Sequence, residues 1–275
     1  MTSIRKLWLS TYKSIHRRVM KPISESEMGR SALVFAPHED DEVLGCGGTI
    51  YKKRKAGAQV ILVFMTNGSS SHRKFMPETV MSLIRAAEAK NASKKLGLGE
   101  EQVHFWEYPD GRLKLFEREA VEKAKSLLER IRPEQILIPY AQEPPADHAS
   151  TNRILIAAMR QLRYVATVYE YPIWYWDQWP WIDRDLYQGG LRSFFSKVLS
   201  TGLGFKLIQD FKSYIPIADA LEIKKEAINQ YRSQMTRLVA DPNWLTLGDI
   251  ACGEFLNYFF QDREVFKISQ FSPVL

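Results

Sequence analysis

Five short apolar runs, each trailed by a stretch of helical character, restrict the folds open to this chain more than any other feature. The runs are ALVFAP (32–37), QVILVFMT (59–66), QVHFWEY (102–108), EQILIPY (134–140) and ATVYEY (166–171). Residues 42–56, 77–96, 117–131 and 148–162 read as helices between them, the first ending at Gly57. Strands covered on both faces lose polar alternation and become continuous apolar segments, and helices are the natural crossovers between parallel strands. The pattern predicts an α/β chain: a Rossmann-like three-layer fold with a mostly parallel sheet in the order 3-2-1-4-5. With 275 residues, 45% of them hydrophobic, the core needs no covalent staples. The two cysteines, Cys46 and Cys252, are too few and too far apart for a disulfide framework, which fits a reducing, cytoplasmic setting.

In an open parallel sheet, functional groups collect beyond the carboxyl ends of the strands, where strand order reverses. The expected order makes the first and fourth strands neighbours at that point. The loop after the first holds His38, Glu39, Asp40, Asp41 and Glu42, and the loop after the fourth ends in Asp147 and His148. Crowded acids are costly without a cation and favourable with one. His38, Asp41 and His148 supply the three His/carboxylate ligands of an open hydrolytic zinc site, leaving Asp40 as the base for a metal-bound water. Fe²⁺ or another divalent ion can use the same donors. Read without a metal, the acids would merely favour the start of the following helix. Gly45, Gly47 and Gly48 do not follow G-x-G-x-x-G, and the acids before them would repel a pyrophosphate, so they are assigned to close packing.

Net charge is +6, concentrated in residues 1–30, where seven Lys/Arg face two Glu. This basic segment is amphipathic: Ile4, Leu7, Trp8, Tyr12, Ile15 and Val19 recur at helical spacing. It suits peripheral contact with an anionic membrane, or packing on the main domain of residues 31–275. No basic surface interleaved with stacking aromatics marks a nucleic-acid binder, and no segment reaches the ~20 apolar residues of a spanning helix. The aromatic-rich insertion beginning at YEYPIWYWDQWPW (169–181) is expected to form a lid that offers flat faces to a sugar, with plain core as the alternative.

APHEDDEVLGCGGTI (36–50) resembles the A-H-P-D-D-E-x-L-G-C-G-G signature of the LmbE/PIG-L family of zinc-dependent N-deacetylases. RAAEAKNASKKLGL (85–98), YPDGRL (108–113), ILIPYAQEPPADH (136–148) and KKEAINQYRSQ (224–234) resemble further family motifs in the family's order, together spanning roughly residues 31–260. The resemblance implies zinc on His38, Asp41 and His148, Asp40 as general base, substrate contacts from Arg85 and Asp110, and Asp147 supporting His148. It implies an N-acetylated sugar or glycolipid of the N-acetylglucosamine type as substrate. An amidase on another conjugate, or a non-catalytic carbohydrate binder, are the alternatives. Three positions depart from the pattern: Glu39 replaces a proline, Pro145 the first histidine of H-x-D-H, and Tyr231 a histidine of the late motif. Loss of an oxyanion donor at Pro145 would cost ~10²–10³ in rate, unless another group such as His72 serves. His104, inside the third strand, reads as structural.

Overall fold

A computed structural model describes residues 2–182, 199 and 202–272. After helix α1 (Thr2–Val19) and a two-residue strand β1 (Lys21–Pro22) come the alternating units: β2 (Ala32–Ala36), α2 (Asp41–Lys55), β3 (Val60–Thr66), α3 (Glu78–Lys95), β4 (Val103–Tyr108), α4 (Glu117–Ile131), β5 (Gln135–Pro139), α5 (Ala146–Leu162) and β6 (Ala166–Tyr171). Beyond the insertion lie α6 (Phe205–Asp210), β7 (Ser213–Pro216), α7 (Leu221–Ile228), α8 (Arg232–Met235), α9 (Glu254–Phe259) and β8 (Arg263–Phe271).

The strands form one sheet ordered β1-β7-β8-β6-β5-β2-β3-β4. Its five parallel strands, β4-β3-β2-β5-β6, reproduce the expected 3-2-1-4-5 order. Every residue of β2, β3 and β5 is buried, which is why their sequences carry no alternation. Alternate side chains divide between two cores. Val34, Ala36, Leu62 and Phe64 join Ile50 of α2 and Ala89 of α3, while Leu33, Phe35, Val63 and Ile138 join Leu128 of α4 and Leu155 of α5. Beyond β6 the sheet continues with β8, antiparallel to β6, and β7, antiparallel to β8. The glycines of α2 permit close packing: a Cβ on Gly45 would stand 2.3 Å from the Tyr171 ring, whose hydroxyl donates to the Phe35 carbonyl at 2.7 Å.

Helix α1 lies on this body. Tyr12 and His16 are buried, with Tyr12 tilted 4.6 Å from Phe205, and the His16 Nε2–H donates to the Phe211 carbonyl at 2.6 Å. Arg5 pairs with Glu254 at 2.7 Å, while Leu7 and Trp8 stay exposed. The aromatic stretch departs from the expected lid. Tyr171, Tyr175, Trp176 and Trp181 are buried, with Trp176 stacked on Tyr258 at 4.7 Å and Trp174 on Phe255 at 4.8 Å. Through Trp181 these rings fill the space between β6, α1 and α9 and are core; the rest of the expected lid, from 183 to 198, lies outside the described residues. No described helix is long and apolar enough to cross a membrane.

Candidate metal centre and active site

The chain leaves β2 at Ala36 and turns sharply before α2 begins at Asp41. Asp40 holds φ +120°, a conformation L-residues rarely adopt, so its surroundings must hold it there. Its N–H donates to Glu42 Oε2 at 3.1 Å, and its carboxylate lies 3.3 Å from the Arg85 guanidinium. Arg85 reaches across from α3, also donating to the Glu39 carbonyl and facing the Glu39 carboxylate at 3.4 Å. Glu39, in place of a proline, is therefore buried against Arg85. Gly68, at φ +56°, makes room: a Cβ there would fall 2.1 Å from Glu39 Oε2.

Asp41 is the hub. Its Oδ2 accepts the His38 backbone N–H at 3.0 Å and lies 3.3 Å from His38 Nδ1 and 3.2 Å from His148 Nε2. His148 comes from the first turn of α5, so β2 and β5 do bring the two loops together at the reversal of strand order. His38, Asp41 and His148 offer ligand atoms all within 4.8 Å of one another. The donor set fits a divalent ion. His148 is fully buried and its ring nitrogens make no well-aligned hydrogen bond: Nε2 faces Asp41 Oδ2 at 3.2 Å and Nδ1 faces Glu143 Oε2 at 3.5 Å, an arrangement suited to a ligand with carboxylate support.

A second group, His38, Asp110 and Asp147, also clusters, but its carboxylates are occupied. Asp147 accepts the N–H groups of Gly111 and Leu113 at 2.6 and 3.1 Å, tying the loop after β4 to α5. Asp110 accepts the Ser70 N–H at 2.8 Å and faces His38 Nε2 at 3.1 Å. A proton on Nε2 directed at Asp110 leaves Nδ1, on the Asp41 side, with its lone pair free. Arg85 does not pair with Glu88 along the helix, because Glu88 accepts from the Ser233 backbone and hydroxyl at 2.8 and 2.6 Å.

Burial divides the two adjacent aspartates. It pushes the Asp40 carboxyl up to about 7, against the pull of Arg85. For Asp41 the same burial is overcome by His148 and His38, which hold it well below the usual carboxylate range. Burial opposes a charge on His148, but Asp41 and Glu143 raise it to about 9. One carboxylate thus stays anionic, as a ligand must, while its neighbour can take and return a proton near neutral pH.

Three residues of this arrangement escaped the sequence reading. Glu143 lies 3.5 Å from His148 Nδ1 and accepts the N–H groups of Ile173, Trp174 and Tyr175, tying the aromatic stretch to the centre. Its one signal is being an acid in the His148 loop. Glu42 looked like one acid of a run, yet it joins Asp40 to the buried Tyr231 hydroxyl, which donates to its Oε1. Tyr231 was noticed only as a departure. His72 is committed elsewhere: its Nε2–H donates to the Leu245 carbonyl at 2.8 Å and its ring stacks on Trp244 at 4.0 Å. That N–H is not available to an oxyanion. Pro145 caps the start of α5 and supplies no donor.

A three-layer α/β chain with a His-Asp-His group at the reversal of its sheet defines a class of candidate metalloenzymes. Within that class, the family model described as PIG-L, GlcNAc-PI de-N-acetylase, matches residues 33–159. The diacetylchitobiose deacetylase of Thermococcus kodakarensis is 23% identical over 221 residues, 74% of this chain and 70% of that one. The solved N,N'-diacetylchitobiose deacetylase of Pyrococcus horikoshii superposes with TM-score 0.60 at 21% identity, covering 87% of this chain and 84% of that one. The 4-carboxy-2-hydroxymuconate hydratase of Pseudomonas putida KT2440 does so with TM-score 0.56 at 15% identity, covering 90% and 98%. The motif resemblance is borne out: residues 33–159 match the PIG-L family model, and the chain is similar to a diacetylchitobiose deacetylase. Because the superpositions include both a deacetylase and a hydratase, the fold alone does not choose a reaction.

Proposed function

We propose that this chain is a metal-dependent N-deacetylase, removing acetyl from an N-acetylated sugar conjugate of the N-acetylglucosamine type, with zinc as its ion. The observation that carries the reading is the convergence of His38, Asp41 and the fully buried His148 beside the buried Asp40 carboxylate. The sugar rests on the relatives named diacetylchitobiose deacetylase.

An ion held by His38, Asp41 and His148 would polarise the amide carbonyl and bring the pKa of a water towards neutrality. This chain's own residues do the rest. Asp40 accepts a proton from the attacking water as the C–O bond forms, then returns it to the nitrogen as the amide C–N bond breaks, giving acetate and a free amine. Arg85 and Glu42 hold Asp40 in its strained conformation, and Asp110 fixes the tautomer of His38. Asp147 supports the site by anchoring the Asp110 loop.

The test is acetate release from N-acetylglucosamine and N,N'-diacetylchitobiose by purified chain, before chelation, after it, and after Zn²⁺ or Fe²⁺ is restored. Release that disappears with the chelator and returns best with Zn²⁺ is expected. Equal release with and without chelator contradicts the proposal, and restoration by Fe²⁺ alone reassigns the ion.

A further inference from the structure

A cavity of about 360 Å³ opens between α1, the aromatic stretch and the start of β8, and no residue of the candidate metal centre lines it. It meets α2 only at Leu44 and Gly45. Its wall is aromatic, with Trp176, Trp181 and Tyr258 buried along one side.

Among the described residues, the charges that line it do not cancel. Glu264 is paired with Lys224 at 2.7 Å, and Asp262 with Arg263 at 2.8 Å. The buried His16 spends its Nε2–H on the Phe211 carbonyl. Lys13 and Arg17 remain, four residues apart on one face of α1 and both lining the cavity. Neither has a carboxylate at ion-pairing distance among the described residues: Glu254 pairs with Arg5 and Asp262 with Arg263, and they act on Lys13 and Arg17 only from farther off. Lys13 is half-buried over the Tyr258 ring, 5.0 Å from its centroid, whereas Arg17 stands exposed at the mouth. Burial first, and Arg17 next, pull the Lys13 ammonium below its ordinary value, with Glu254 pulling the other way.

We propose that this cavity is a second binding site, separate from the reaction centre, for an organic phosphate monoester. Two cations with no ion-paired carboxylate among the described residues match the charge of nearly −2 that a monoester carries at neutral pH, and the Arg17 fork suits its oxygens. The flat or apolar body of the ligand lies against Trp176, Trp181 and Tyr258. A soluble metabolite or the headgroup of a monoester lipid would present this same chemistry.

The experiment uses the full-length, metal-loaded chain and two probes: phenyl phosphate followed by titration calorimetry, and phosphatidate vesicles followed by co-sedimentation against phosphatidylcholine vesicles. Phenyl phosphate should bind with Kd below about 1 mM. The double variant Lys13→Gln/Arg17→Gln should weaken binding at least about ten-fold, while acetate release from a soluble substrate stays unchanged. Arg17→Glu alone alters an exposed side chain and provides the same readout should the double variant not fold. Binding of phenyl phosphate supports the proposal with a soluble ligand; retention on phosphatidate vesicles alone supports it with a lipid headgroup. Binding of neither probe, or binding that Arg17→Glu leaves intact, overturns it.

Discussion

Helix α2 touches two clusters of buried charge that differ in how completely their polar atoms are used. On its middle turns, Glu264 accepts from the Gly48 and Thr49 N–H groups at 2.8 Å each, from the Thr49 hydroxyl at 2.6 Å and from Lys224 at 2.7 Å. Lys224 also donates to the Leu44 carbonyl at 2.8 Å. At the amino end of the same helix, His148 makes no well-aligned hydrogen bond, Asp40 is strained, and Asp40, Asp41 and Glu42 stand side by side. A saturated cluster holds the fold together, because any change leaves a buried charge exposed to nothing. An unsaturated one is kept open for a ligand, and its strain is offset by packing elsewhere.

The comparison predicts opposite consequences of mutation. Asp40→Asn removes the proton carrier while keeping the shape of the loop, and should lower kcat by about 10²–10⁴ with metal retained and the unfolding midpoint nearly unchanged. Steady-state kinetics, metal content and thermal unfolding of the same preparation measure all three. Lys224→Met strands Glu264 and should cost about 3–5 kcal/mol of stability by urea unfolding, with little change in metal affinity. If Lys224→Met abolished metal binding without destabilising the chain, the two clusters would not be separate. Glu143→Gln alters a group that accepts three backbone N–H groups and faces His148, and should weaken metal affinity about 10–100-fold by competition with a chelator.

The smallest effect sharpens the middle case. Lys53, also on α2, is buried and donates to the Glu27 and Arg30 carbonyls at 2.8 and 3.0 Å, with no carboxylate paired to it among the described residues. Burial lowers its ammonium to about 8. The folded state therefore releases this proton before the unfolded state does, so unfolding takes up protons above pH 8 and stability rises with pH in that window. Urea unfolding at pH 7.5, 8.5 and 9.5 should show the rise, and Lys53→Met should flatten it.

Much of this was legible from sequence for a definite reason. Buried parallel strands are written as unbroken apolar runs, so β2 to β6 and their order could be read, and the order alone brought His38 and Asp41 to His148. β8 was missed because REVFKISQF is only partly buried along its length and lies beyond the repeating units. Glu143, Glu42 and Tyr231 were missed for another reason: an acid bound to backbone N–H groups has the same letter as an acid in solvent. The tryptophans of 174–181 misled in the converse way, since a lid and a core use the same side chains, and only the rings of Tyr258 and Phe255 decide between them.

The most direct test of the central claim measures metal content and acetate release together, on wild type, Asp40→Asn and Asp41→Ala, with N,N'-diacetylchitobiose as substrate. The account predicts about one ion and release for wild type, one ion without release for Asp40→Asn, and neither for Asp41→Ala. An Asp41→Ala protein that still held its metal and released acetate at the wild-type rate would contradict it.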